Sequence, residues 1–223
     1  MLKSLYPQID WQKVGIIGFD LDGTLYDEME FIAQVYKPIA RIISKSCKAD
    51  CGSVYYSMLS RWLQKGSSYN QIFDEILIAN GLNKNSRDLV IAECLDTFRR
   101  FSPTLTLPAR VGVILAEINK KYRIFLLTDG SNVLQTEKFN ALQLDRWFSL
   151  KDIVITGNYG KDYLKPSTKA LAHIKALDDC IYPETVVYFG DREIDRKFAQ
   201  TAGFLFVKVK CLIPVEGYMH INS

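Results

Sequence analysis

Two acids two residues apart, Asp20 and Asp22, close a short apolar run from Val14 to Phe19 and are followed by the turn residues Gly23 and Thr24. With a side-chain period of two, both carboxylates leave an extended chain on the same side. Held that close, they repel unless a cation or a proton comes between them. A hard divalent cation such as Mg2+ suits the pair, because it takes oxygen ligands and tolerates a partly hydrated site. Further groups of this character recur downstream. The run Ile124 to Leu127 ends in Thr128-Asp129-Gly130-Ser131-Asn132, a hydroxyl followed by backbone amides at a helix start, which suits phosphate oxygens. Lys165-Pro166-Ser167 puts an ammonium just ahead of another helical stretch, and Val186 to Gly190 runs into Asp191, with Asp195 four residues on. Each has an ordinary alternative: Thr128 a helix cap, Lys165 a solvated lysine, Asp191 and Asp195 an acidic helix start. Taken together, in this order and at the ends of apolar runs, they point to a metal and a phosphate handled in one place.

Such groups need a scaffold that brings strand ends together. Val14 to Phe19 has the unbroken apolar character of a strand buried on both faces. After residue 108 helices and strands alternate: helix 111–121, strand 123–127, helix 132–142, strand 152–155, helix 167–177, strand 185–189, helix 193–202 and strand 204–209. That alternation specifies an α/β fold, a Rossmann-like parallel sheet with helices on both faces. Open sheets of this kind bind ligands beyond the carboxyl ends of their strands.

Between the first strand and the rest lies a purely helical stretch. Residues 27–46 start with Asp27, Glu28 and Glu30 and finish with Arg41 and Lys45, matching the helix dipole, and carry the stripe Phe31, Val35, Ile39, Ile42 and Ile43. Pro38 predicts a kink or break there. Residues 53–64 follow with Val54, Met58, Leu59 and Trp62; a third helix starts at Ser68, spaced from Gln71 as in a capping box, and stops at Asn80-Gly81. A fourth, 86–101, carries Leu89, Ile91, Cys94, Leu95 and Phe98. The expected organisation is therefore an α/β core of 1–25 and 103–223 with an inserted α-helical bundle, 26–102.

Bulk properties narrow the function classes. At 223 residues, 48% hydrophobic and 24% charged, the chain reads as an ordinary soluble globular protein. A net charge of +3 without a lysine- and arginine-rich block gives no case for a nucleic-acid partner. The five cysteines, Cys47, Cys51, Cys94, Cys180 and Cys211, lack zinc-ligand spacing and read as reduced thiols of a cytoplasmic protein. Met1 to Trp11 has no signal-peptide core, and no stretch has membrane-spanning length. The oligomeric state leaves no trace in the sequence, and the tail 211–223 shows no usable pattern.

The motifs as a set resemble those of the haloacid dehalogenase-like hydrolase superfamily. Asp20-Leu-Asp22-Gly23-Thr24 stands for the first motif, Thr128 for the second, Lys165 for the third and Gly190-Asp191-Arg-Glu-Ile-Asp195 for the fourth. The helical insertion looks like the cap of the phosphoglycolate phosphatase and nucleotidase branch. The resemblance implies Asp20 as the nucleophile that forms an aspartyl-phosphate, and Asp22 as general acid and then base. It implies Mg2+ held by Asp20, the Asp22 backbone carbonyl and Asp191. Thr128 and Lys165 would hold the phosphate, and Asp195 would stand behind the metal ligands or serve as an alternate one. An acid at Asp22 favours a small phosphorylated substrate over a halide, which needs no proton. Two features depart from the pattern or compete with it. Asp129 stands where many relatives have Asn; a carboxylate beside a phosphate is costly unless it points away or pairs with a cation, and it is left out of catalysis. Arg192 could compensate that charge, although a surface role is the simpler expectation.

A phosphomutase on the same scaffold and a catalytically silent binding protein are the alternatives. Tyr26, Arg61, Lys65, Arg99 and Arg100 are cap-side candidates for substrate contact, each also readable as a solvated helix residue. His173 is expected in a core helix and His220 in the tail, neither with a catalytic part.

Overall fold

The computed structural model describes residues 1–215; His220 and the rest of the tail lie outside the described residues. Six strands, β1 Ile16–Phe19, β2 Arg123–Thr128, β3 Ile153–Ile155, β4 Val186–Gly190, β5 Leu205–Lys210 and β6 Ile213–Pro214, form one sheet in the order β3-β2-β1-β4-β5-β6. The helices are α1 Leu2–Leu5, α2 Glu28–Cys47, α3 Cys51–Lys65, α4 Ile72–Ala79, α5 Lys84–Arg99, α6 Ala109–Asn119, α7 Asn132–Ala141 and α8 Glu193–Ala202. β1 to β5, the five strands expected from the sequence, all pair in parallel, and the two-residue β6 in the tail turns back antiparallel on β5.

The chain separates into two compact units, Met1–Glu28 with Leu105 onward, and Met29–Thr104. In the first, β1 is central and all four of its residues are buried, as its unbroken apolar run requires. Ile16 sits opposite both Arg123 and Val186, so β2 and β4 flank β1 in matched register and their carboxyl ends come level. The core includes Ile16, Phe125, Leu127, Tyr188, Phe198 and Phe206.

Gly18 is fixed by this packing. A Cβ there would lie 2.1 Å from the Phe125 ring, which is itself fully buried. Gly18→Ala should therefore destabilise the fold by about 1–3 kcal/mol, the usual cost of overpacking. Urea denaturation measures it, and an unchanged midpoint would show that the ring is free to shift.

The alternation fails at one place. Residues 167–177, expected as a helix, form two short 3-10 turns, Lys169–His173 and Lys175–Leu177. Ile174 between them is extended, and the backbone N–H of Ala176 goes to the Asp152 carboxylate at 2.6 Å instead of a carbonyl one helical turn back. His173 is consequently exposed, stacked on Tyr159 with ring centres 4.1 Å apart, and is not in a core helix.

The second unit contains α3, α4, α5 and all but the first residue of α2. α2 runs through Pro38 without a break, and its buried stripe, Phe31, Val35, Tyr36, Ile39 and Ile43, offsets the one hydrogen bond that proline cannot donate. Asp50 and Asn83 cap α3 and α5 by accepting from the backbone N–H groups of Ser53 and Ser86. α4 begins at Ile72 without the capping box expected from Ser68. Glu75 of its first turn instead pairs with Arg61 at 2.6 Å and accepts from the Tyr69 hydroxyl. On α5 Cys94 is buried as expected and Ile91, Leu95 and Phe98 are half-buried, but Leu89 is 75% exposed and Val90 takes its place on the buried face.

Candidate active site

The carboxyl ends of β1, β2 and β4 bring most of the sequence-derived candidates together within the first unit. Asp20 follows β1 directly and is fully buried. Lys165, reaching in from the loop after β3, places its Nζ 2.6 Å from Asp20 Oδ1 and 2.5 Å from Asp195 Oδ1. It is a buried ammonium between two carboxylates, not a solvated lysine. Burial lowers its proton affinity, but the pull of Asp195 and Asp20 is larger in sum and holds it well above the ordinary lysine range. Its ammonium also lies 3.5 Å from the Tyr188 hydroxyl, which donates to the Leu127 carbonyl.

Asp191 follows β4 and faces the same space. Gly23 passes so close that a Cβ on it would lie 2.2 Å from Asp191 Oδ2, and its φ of 72° lies in the left-handed region that favours glycine. Asp20, Asp191 and Asp195 each offer a carboxylate oxygen, all within 4.8 Å of one another. Asp20 Oδ2 and Asp191 Oδ1 are buried and have no hydrogen-bond partner. Burial, opposed by Lys165, pushes the Asp20 carboxyl up to about 6; burial and then the neighbouring Asp20 push Asp191 up to about 8. Lys165 and Arg192 supply positive charge at this cluster, yet two of its carboxylate oxygens still accept no hydrogen bond, and an all-oxygen donor set of this kind fits a hard cation. Asp195 has both oxygens in use, on Lys165 and on the backbone N–H of Arg192. The side chain of Arg192 is not on the open surface as expected: it is partly buried, with Nε 3.7 Å from Asp191 Oδ1.

Asp22 stands apart from this cluster. Its carboxylate turns toward α7, where Oδ1 accepts from Lys138 Nζ at 2.7 Å and from the Tyr26 hydroxyl, and Oδ2 accepts from Gln135 Nε2 at 2.9 Å. Burial alone would raise its pKa, yet Lys138, with Gln135 and Tyr26, brings it below the ordinary carboxylate value. Thr128, at the end of β2, accepts from the same Gln135 nitrogen at 2.7 Å. Asp129 points away from Asp20: it accepts from Thr156 Oγ1 at 2.9 Å and from the backbone N–H of Lys165 at 3.3 Å, tying down the loop that delivers the lysine.

Sequence reasoning missed Gln135 and Lys138, and it misplaced Tyr26, which is fully buried against Asp22 and is not a helix residue open to substrate. A signal existed. The buried face of α7 reads Leu134, Gln135, Lys138 and Phe139, so two polar residues occupy its apolar stripe. Of the other substrate-contact candidates, Arg61 is taken up by Glu75, Arg100 pairs with Asp96, and Lys65 lies over the Tyr69 ring.

With this arrangement in view, the class is set by comparison. The model of the haloacid dehalogenase-like hydrolases matches residues 14–203, and the chain belongs to that family. A glyceraldehyde 3-phosphate phosphatase of Pyrococcus furiosus is 27% identical over 183 residues, covering 81% of this chain and 74% of that protein. Among solved structures, a HAD-superfamily hydrolase of subfamily IA, variant 1, from Geobacter sulfurreducens superposes with a TM-score of 0.64 at 19% identity, over 88% of this chain and 87% of that one. A protein proposed as a β-phosphoglucomutase from Thermotoga maritima gives 0.60 at 19% identity, over 94% and 89%. The two structures share the fold with this chain and say nothing of its substrate. Among the described residues, no helix is long and apolar enough to cross a membrane.

Proposed function

We propose that the protein is a Mg2+-dependent phosphatase that hydrolyses a small phosphomonoester through an aspartyl-phosphate on Asp20. The observation that carries this reading is the state of Asp20: fully buried, with Oδ1 held by Lys165, Oδ2 without a hydrogen-bond partner, and its carboxylate clustered with those of Asp191 and Asp195. Family membership and the phosphatase relative support the same chemistry.

Asp20, Asp191 and the backbone carbonyl of Asp22 would hold the cation, which supplies charge neutralisation for nucleophile and phosphate. The residues do the rest. Lys165 fixes Asp20 and offsets its charge, orienting the carboxylate from which an oxygen attacks phosphorus. Thr128 and the amides after it hold the phosphate oxygens. Asp22 rests in its charged form; arrival of the substrate's negative charge favours its protonated form, from which it protonates the leaving oxygen. It then takes a proton from the water that opens the aspartyl-phosphate. The helical unit 29–104 is assigned the role of a cap that selects the leaving group. A cytoplasmic location belongs to the same reading and is supported by the five free cysteines.

Phosphate release from a panel of phosphometabolites, with Mg2+ and after exhaustive chelation, tests this function. Metal-dependent release is expected, and no release from any ester would leave the silent binding protein in its place. Isomer formation from a hexose phosphate in place of phosphate release would make it a mutase.

Metal binding should also follow pH. In the metal-free protein Asp20 and Asp191 titrate near 6 and 8, above their unfolded values, so the neutral acids are the folded state's preferred forms. Stability of the metal-free fold thus falls as pH rises from the unfolded carboxyl value through these two pKa values. A cation competes with those protons, so Mg2+ should raise the melting temperature markedly at about pH 8.5 and little at about pH 5.5. An equal rise at both would separate the cation from these carboxylates.

A further inference from the structure

α7 enters the site with two polar side chains one helical turn apart, Gln135 and Lys138, both buried. Nothing in the mechanism above uses either. Their contacts are specific. Gln135 Nε2 lies 2.9 Å from Asp22 Oδ2, 2.7 Å from Thr128 Oγ1 and 2.7 Å from the carbonyl oxygen of Asp129. Lys138 Nζ lies 2.7 Å from Asp22 Oδ1 and is 3% exposed. Between them they engage both oxygens of Asp22, and Gln135 links that carboxylate to the Thr128 hydroxyl. Burying an ammonium is costly unless it is paired, and the partner here is a group to which the mechanism gives the proton transfers.

We propose that Gln135 and Lys138 are positioning residues: Lys138 holds the Asp22 carboxylate for proton transfer and acts on the reaction only through Asp22, while Gln135 sets the distance between Asp22 and the phosphate-holding Thr128. The proposal rests on the phosphatase reading. It makes α7, and not only the strand ends, part of the site, and it assigns the two residues different signatures. The Lys138 ammonium is held on the Asp22 carboxylate, so its loss should lower kcat and leave phosphate binding alone. Gln135 touches Thr128 as well, so its loss should change both.

The test is a double-mutant cycle on Lys138 and Asp22, with an alkyl phosphate as substrate and inorganic phosphate as competitive inhibitor. Lys138→Met should lower kcat roughly 10–100-fold, the usual scale for residues that orient a reacting or ligating group, with the inhibition constant for phosphate unchanged. Added to Asp22→Asn, the same change should cost less than about 2-fold, because the group it positions is gone. Gln135→Leu should weaken both kcat and inhibition by phosphate. If Lys138→Met costs the same factor with and without the Asp22 carboxyl, or weakens phosphate inhibition as Gln135→Leu does, the proposal is overturned. Lys138→Met leaves Asp22 buried without its cation, so Lys138→Gln, which keeps a donor, is carried through the same cycle should the first variant fail to fold. The two levels separate cleanly. An Asp22→Asn variant that slows the first step equally for alkyl and nitrophenyl esters removes the acid–base role of Asp22 and this proposal with it; a selective first-step loss in Asp22→Asn combined with an additive Lys138→Met removes the proposal alone.

Discussion

Replacing Asp20 by asparagine is expected to lower phosphate release by at least about four orders of magnitude while leaving the fold intact. An amide is a poor nucleophile toward phosphorus and carries no charge to balance a cation. The fold should tolerate it because Asp20 is buried where its charged form is already disfavoured, and Asp195 remains as a partner for Lys165. The metal-free melting temperature should accordingly hold or rise, and the stabilisation by Mg2+ should shrink. Both measurements are needed. Retained metal-dependent turnover would remove Asp20 as nucleophile, whereas a collapsed melting temperature would mean that lost activity reports only lost structure.

Asp22→Asn should separate the two halves of the reaction. An alkyl phosphate departs as a basic alkoxide and needs a proton, so its cleavage should fall by about 10²–10⁴-fold. Nitrophenol is acidic enough to leave without one, so transfer of its phosphoryl group to Asp20 should be much less affected. Hydrolysis of the aspartyl-phosphate also depends on Asp22 and should be slow, giving a burst of nitrophenol ahead of slow turnover in rapid mixing. Equal first-step losses for both esters would make Asp22 a structural residue. The side chain would then be part of the Lys138, Gln135 and Tyr26 network for packing alone.

What could be read in the sequence follows from where the information sits. Asp20, Thr128 and Asp191 lie at strand ends, where an apolar run stops abruptly at a polar residue, and a parallel sheet brings such ends level whatever the details of packing. Lys165 was legible because it follows the third strand, although nothing in the sequence said that it would be buried between two carboxylates. Gln135 and Lys138 lay on a helix, where a polar residue reads as solvent-facing unless the whole stripe is traced. Tyr26 was misread for a related reason. It follows Leu25 just before the helical stretch, and only the turn of the chain, which bridges Asp22 and Tyr26, folds its hydroxyl back onto the acid. Near the end of the helix expected at 167–177, a side chain far away in sequence, Asp152, takes the N–H of Ala176 that a helix would use. No local pattern carries that.

The central claim is that phosphoryl transfer passes through Asp20. It is met most directly by mass spectrometry of the Asp22→Asn protein, acid-quenched during the slow phase with Mg2+ and nitrophenyl phosphate. The expected result is one phosphoryl group per chain on the peptide containing Asp20, lost when Asp20 is also replaced. A burst of nitrophenol from protein that stays unmodified, or that is modified at another residue, would contradict it.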